Sequence, residues 1–136
     1  MKAREFLPTA CAILCGVLAA GCAQFPPADD TGPHAVRMKE TGEAYQACLT
    51  REAEKNMKNP AGAEDIATAA HAQCWSAWDG YRQATNASFS HRARSPDEIQ
   101  FSQDKAEAHL REFEREARRN IVDTVVERSL KPGARP

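Results

Sequence analysis

The chain lacks a surplus of charge of either sign and is poor in aromatic residues. Its 18 Lys and Arg stand against 19 Asp and Glu, a net charge of −1 over 136 residues, and Phe, Trp and Tyr make up only 7%. An electrostatic nucleic-acid binder neutralises phosphates with excess Lys and Arg, so none is expected as a partner. No apolar run approaches the roughly 20 residues a membrane span requires. No stretch alternates apolar and polar residues as a half-buried strand would, and no internal repeat is present. There is no nucleophile elbow or oxyanion element, and the carboxylates are dispersed along the chain. The sequence therefore points away from an enzyme and calls for no cofactor and no metal. Its length suits one small domain.

What is present begins with an address. Met1-Lys2-Ala3-Arg4 is basic, and an apolar run of about 11 residues from Ala10 to Ala20 leads to Gly21-Cys22, the layout of a secretory signal. Leu18-Ala19-Ala20-Gly21-Cys22 resembles the lipobox of bacterial lipoproteins, small residues before a cysteine at the end of the apolar core. The resemblance covers residues 1–22 only and matches no named family in the mature chain. It implies that residues 1–21 are a signal peptide cut off before Cys22, and that Cys22 becomes the first mature residue, carrying a diacylglycerol on sulfur and an acyl group on nitrogen. Two or three acyl chains make a lasting anchor where one does not. An ordinary cleaved signal, with Cys22 incidental, is the competing reading. By the same resemblance, Ala23 and Gln24 lack the Asp that retains such proteins in the inner membrane, so the expected location is the cell envelope, at the periplasmic face of an outer membrane.

Residues 22–37, with Pro26, Pro27, Gly32 and Pro33, read as a tether. A small all-α domain is expected over residues 38–131, followed by a disordered tail at 132–136. Its first helix, about 38–57, carries Tyr45, Cys48, Leu49, Ala53 and Met57 at three- and four-residue steps and stops at Lys58-Asn59-Pro60-Ala61-Gly62. A second, about 63–84, has the stripe Ile66, Ala70, Cys74, Trp78 and Tyr81. Asn86–Arg94 is expected to be a polar connection. Ser95-Pro96-Asp97-Glu98 then spells an N-cap, a first-turn proline and a capping box, opening a third helix over 96–130. Its stripe runs Ile99, Ala106, Leu110, Phe113, Ala117, Ile121 and Val125.

Of the five cysteines, Cys11 and Cys15 fall in the signal and Cys22 in the lipobox. Cys48 and Cys74 remain. At 1.5 Å per residue they lie about 13 and 16 Å from the turn between the first two helices, nearly level across a hairpin. A disulfide is expected there, in preference to free thiols or half of a zinc site, since His71 is the one Cys or His within four residues of either cysteine and zinc wants four ligands.

Two surfaces are candidates for recognition. His71, Trp75, Trp78 and Arg82 follow steps of four, three and four, a ligand surface if exposed and helix-packing core if not, the core reading being preferred. His109 reads as a solvated surface residue, and Ser88, Ser90, His91, Arg92 and Arg94 as a polar, basic loop. A 35-residue third helix would extend about 52 Å, past hairpin helices of about 30 Å. The excess is expected at its C-terminal end, exposing Ile121, Val122, Val125 and Val126 to a protein partner or a second copy unless the helix breaks near Asn120 and folds back. The function expected is a non-enzymatic binding or scaffolding role at the membrane. The alternative is a periplasmic inhibitor or ligand-binding module using Trp75 and Trp78.

Overall fold

The structure, a computed structural model, describes residues 32–58 and 60–131. The segments read as a signal and a lipobox with Cys22, most of the expected tether and the expected tail at 132–136 lie outside them. Among the described residues the protein is all-α, with helices α1 (Pro33–Asn56), α2 (Ala63–Gln73), α3 (Trp75–Ser90) and α4 (Pro96–Leu130) and no strand.

Helix α1 starts at Pro33, five residues ahead of the expected Met38, so the helix takes up what was read as the end of the tether. Pro33 has no N–H to satisfy and a φ already suited to a first turn, and Gly32 provides the extended backbone before it (φ −70°, ψ 157°). The first turns carry little apolar periodicity, which is why the pattern placed the start later. Their contact with the rest of the bundle includes the His34 ring stacked on His91 at the end of α3 (centroids 4.9 Å apart).

The second expected helix is two. Cys74 alone leaves helical geometry (φ −97°, ψ 16°) and divides α2 from α3. Neither Pro nor Gly marks the break, and α3 then continues to Ser90, so the connection before α4 shrinks to residues 91–95. Polar residues such as Asn86, Ser88 and Ser90 fit an exposed helical turn as readily as a loop, and the Ser90 hydroxyl donates to the Asn86 carbonyl.

Helices α2 and α3 together run back along α1, and α4 returns along both, parallel to α1 and packed mainly on α2 and α3. The apolar stripes close on one another as their spacing implies. Tyr45, Leu49 and Ala53 from α1, Ile66, Ala67, Ala70, Cys74, Trp78 and Tyr81 from the returning pair, and Leu110, Ala117, Ile121 and Val125 from α4 form the core. Cys48 and Cys74 are bonded, with their Cα atoms 5.9 Å apart, tying α1 to the α2–α3 joint. At the far turn Arg128 of α4 pairs with Glu54 of α1 at 2.9 Å.

Two expectations about α4 are corrected. It is continuous through Asn120, and its C-terminal half does not overhang. Ile121 and Val125 are each 5% exposed, covered by α1 and α2, and so do not belong to a partner surface. Only Val122, half-buried, and Val126 and Leu130, exposed, remain outside or at the margin. The overhang is at the opposite end. From Pro96 to Lys105 no side chain is buried, and Ile99, expected on the core stripe, is 41% exposed. The extended α3 is the reason, because its Phe89 ring reaches His109 of α4 (centroids 5.6 Å), which leaves the earlier turns of α4 projecting beyond it.

Candidate functional site

The candidate ligand stripe does not survive as one surface. Trp78 is 6% exposed and packs in the core against Tyr45 (centroids 5.1 Å) and Tyr81 (5.9 Å). Trp75, which the preferred reading also placed in the core, is 54% exposed, with one edge toward the His71 ring (6.2 Å). Three positions separate the two tryptophans, and the break at Cys74 sets Trp75 at the very start of α3, on the outside of the bundle. Arg82 is turned to Asp79, 2.8 Å away, in an exposed ion pair that contributes little to stability.

His71 is instead the middle of a line of polar groups that spacing did not reveal. The Tyr45 hydroxyl lies 2.7 Å from His71 Nδ1, and His71 Nε2 lies 3.8 Å from a Glu114 carboxylate oxygen. With the ring proton on Nε2, the tyrosine donates to Nδ1 and the ring N–H faces the carboxylate. Burial, and secondarily the negative charge of Glu114, push the Tyr45 phenol well above its ordinary range, so the hydroxyl stays protonated at neutral pH. A cleft beside it is lined by Tyr45 and Leu49 of α1, Ala67 and His71 of α2, and Glu114, Arg118 and Ile121 of α4. It has room for little more than a water molecule. Arg118 closes its rim by donating to Glu64 at 3.2 Å and to the Thr68 hydroxyl at 2.7 Å. The trio has the order of a proton relay, but its hydroxyl is neutral and belongs to a residue only 1% exposed. What the geometry accomplishes is a polar tie among α1, α2 and α4.

A second tyrosine–histidine pair repeats the device between α3 and α4. The Tyr81 hydroxyl is 2.8 Å from His109 Nε2, and Phe89 and Phe113 flank the same imidazole. His109 is therefore a half-buried packing residue and not a solvated one. Burial raises the Tyr81 phenol too. One turn further along α3, the Thr85 hydroxyl is fully buried and outside hydrogen-bonding geometry with any described group. Neither pair was legible in advance, since the partners lie 26 and 28 positions apart on different helices.

Of the loop residues, His91 Nδ1 lies 2.7 Å from the Ser88 carbonyl and its ring stacks on His34, which engages it in closing α3. Among the described residues no group of three His, Cys, Asp or Glu side chains could hold a metal ion, and no helix is long and apolar enough to cross a membrane. Compared with models of protein families, with curated proteins and with solved structures, the chain matches none.

Proposed function

We propose that this chain is an exported lipoprotein of the bacterial envelope, acylated at Cys22, whose helical domain has a non-enzymatic binding or scaffolding role at the periplasmic face of the outer membrane. The observation that carries the reading is the Cys48–Cys74 bond between α1 and the α2–α3 joint. Structural disulfides persist in oxidising compartments such as the periplasm, and the signal and lipobox-like segment at residues 1–22 supply a route there.

A second reading is favoured by Trp75. A half-exposed indole edged by an imidazole offers a stacking platform, which suits an inhibitor or ligand-binding module.

Labelling growing cells with radioactive palmitate tests the first part. The wild type should incorporate label and sediment with membranes, and Cys22→Ala should do neither. Membrane retention without acyl mass on the wild type would refute lipidation. Crosslinking in cells then separates the two roles: a scaffold recovers an envelope assembly, whereas an inhibitor recovers one enzyme and loses it with Trp75→Ala.

A further inference from the structure

His71 sits where three other helices meet α2, and each presents it with different chemistry. From α1 comes the Tyr45 hydroxyl, 2.7 Å from Nδ1. From α4 come the Glu114 carboxylate, 3.8 Å from Nε2, and Arg118, which lines the same cleft. From α3 come the rings of Trp75 and Trp78, with centroids 6.2 and 6.0 Å away. On α2 itself, Glu64 and the Thr68 hydroxyl accept from Arg118, so that cation is engaged about one and two turns away from the imidazole. The His71 side chain is 28% exposed, which gives a proton a way in from solvent, whereas Tyr45 is 1% exposed.

Neutral and charged imidazoles cannot use this setting in the same way. A neutral ring offers Nδ1 as an acceptor, which the Tyr45 hydroxyl requires, since burial keeps that hydroxyl protonated and holds it away from water. An imidazolium has no lone pair and donates from both nitrogens. It can meet the tyrosine only by donating to the phenol oxygen, which leaves the phenol's own proton without its acceptor, and an unpaired buried donor is costly. Toward α4 the change has the opposite sign. The 3.8 Å separation from Glu114 is too long for a hydrogen bond, and a charged ring draws the carboxylate toward charge-assisted contact. The cleft lined by Tyr45, His71 and Glu114, with room for little more than a water molecule, supplies slack for such a shift. We propose that His71 is a proton-operated latch: neutral, it is held to α1 by Tyr45, and charged, it releases that hydroxyl and is held to α4 by Glu114. Imidazoles as a class change charge between about pH 5 and 8, so acidification through that range moves an attachment of α2 from one neighbour to the other. The latch does not depend on the proposed lipid anchor.

Long-range proton–nitrogen spectra of the purified protein, its disulfide intact, read the protonation of each His71 ring nitrogen across that range. At the alkaline end Nδ1 should read as a hydrogen-bonded acceptor and Nε2 as protonated, and at the acid end both as protonated. In the wild type the Tyr45 Cζ signal should move in step with His71, because the phenol loses its acceptor. Tyr45→Phe keeps the ring and its packing but removes the hydroxyl that only a neutral imidazole can accept from, so it should raise the proton affinity of His71 several-fold. Glu114→Gln, at a side chain 43% exposed, should lower it several-fold. An unchanged or lowered affinity in Tyr45→Phe would mean that the phenol serves the charged ring as well as the neutral one. A shift from Glu114→Gln alone would leave an ordinary exposed ion pair, and a Tyr45 signal that stays still while His71 titrates would mean that the hydroxyl is never released. Each of these results overturns the latch.

Discussion

Gly42 lies directly under the ring of Tyr81: a Cβ at position 42 would stand 3.0 Å from Tyr81 Cε2 and 3.4 Å from Phe113 Cζ. The absence of a side chain there lets α1 approach α3 and α4 closely. The Tyr81 ring is boxed in by Phe113 (centroids 4.2 Å) and Trp78 and held by His109, so it has little freedom to yield. In an open helix Gly→Ala would stabilise by about 1 kcal/mol, but overpacking a filled core costs about 1–3 kcal/mol. Gly42→Ala should therefore lower stability in urea unfolding, and Gly42→Val should lower it further. An Ala variant more stable than the wild type would show that the contact relaxes.

Removing the disulfide should cost roughly 3–4 kcal/mol in the chain-entropy account. Cys48→Ala and Cys74→Ala should lower the melting temperature equally, and the double variant should be no worse than either. Two titratable thiols in protein isolated without reductant would contradict the bond.

The tyrosines make stability sensitive to alkali. A phenol whose ionisation is pushed above its ordinary 10.0 by burial stays neutral in the folded chain while its unfolded counterpart ionises. The contribution is complete below pH 10 and is lost as pH rises beyond it. Tyr45→Phe should flatten the alkaline limb of a stability–pH curve, while costing about 1 kcal/mol at neutral pH through the lost bond to His71.

Val125 separates core from surface on α4. Being 5% exposed, it has no water available for a charge, and Val125→Glu should unfold the domain, read as lost helical circular dichroism, rather than merely weaken association. Leu130→Glu, at a position 76% exposed, should be tolerated. A folded Val125→Glu variant would show that this end of α4 can detach.

The capping box of α4 should matter locally. The Glu98 N–H donates to the Ser95 hydroxyl at 3.2 Å, and the Glu98 carboxylate accepts from the N–H groups of Arg94 and Ser95. Ser95→Ala removes about 1 kcal/mol of helix-start stability, but the turns it holds bury nothing. Hydrogen exchange from Pro96 to Lys105 should accelerate with little change in the global melting temperature. Those backbone bonds hold the Glu98 carboxyl below its usual 4.5, so the cap persists above that value and weakens as pH falls through the depressed one.

The sequence alone determined the helical class, the apolar stripes apart from Ile99, the level pairing of Cys48 with Cys74 and both ends of α4. Each rests on local chemistry: periodicity, the Ser95-Pro96-Asp97-Glu98 cap, and a rise per residue that does not depend on surroundings. The tertiary structure decided what depends on register along the long axis. Whether α4 overhangs at Ile99 or at Val125 turns on how far α1 and α3 extend, and the helical turns at Pro33 and Ser90, which carry no apolar period of their own, bring His34 and His91 together across the bundle. The break at Cys74 lies at the cross-linked joint, with no breaker beside it to announce it. The Tyr45–His71 and Tyr81–His109 bonds require partners from different helices to arrive at the same depth, and the exposed setting of Trp75 depends on where that break falls. Such distances are set by the packing of whole helices, which no window of sequence contains.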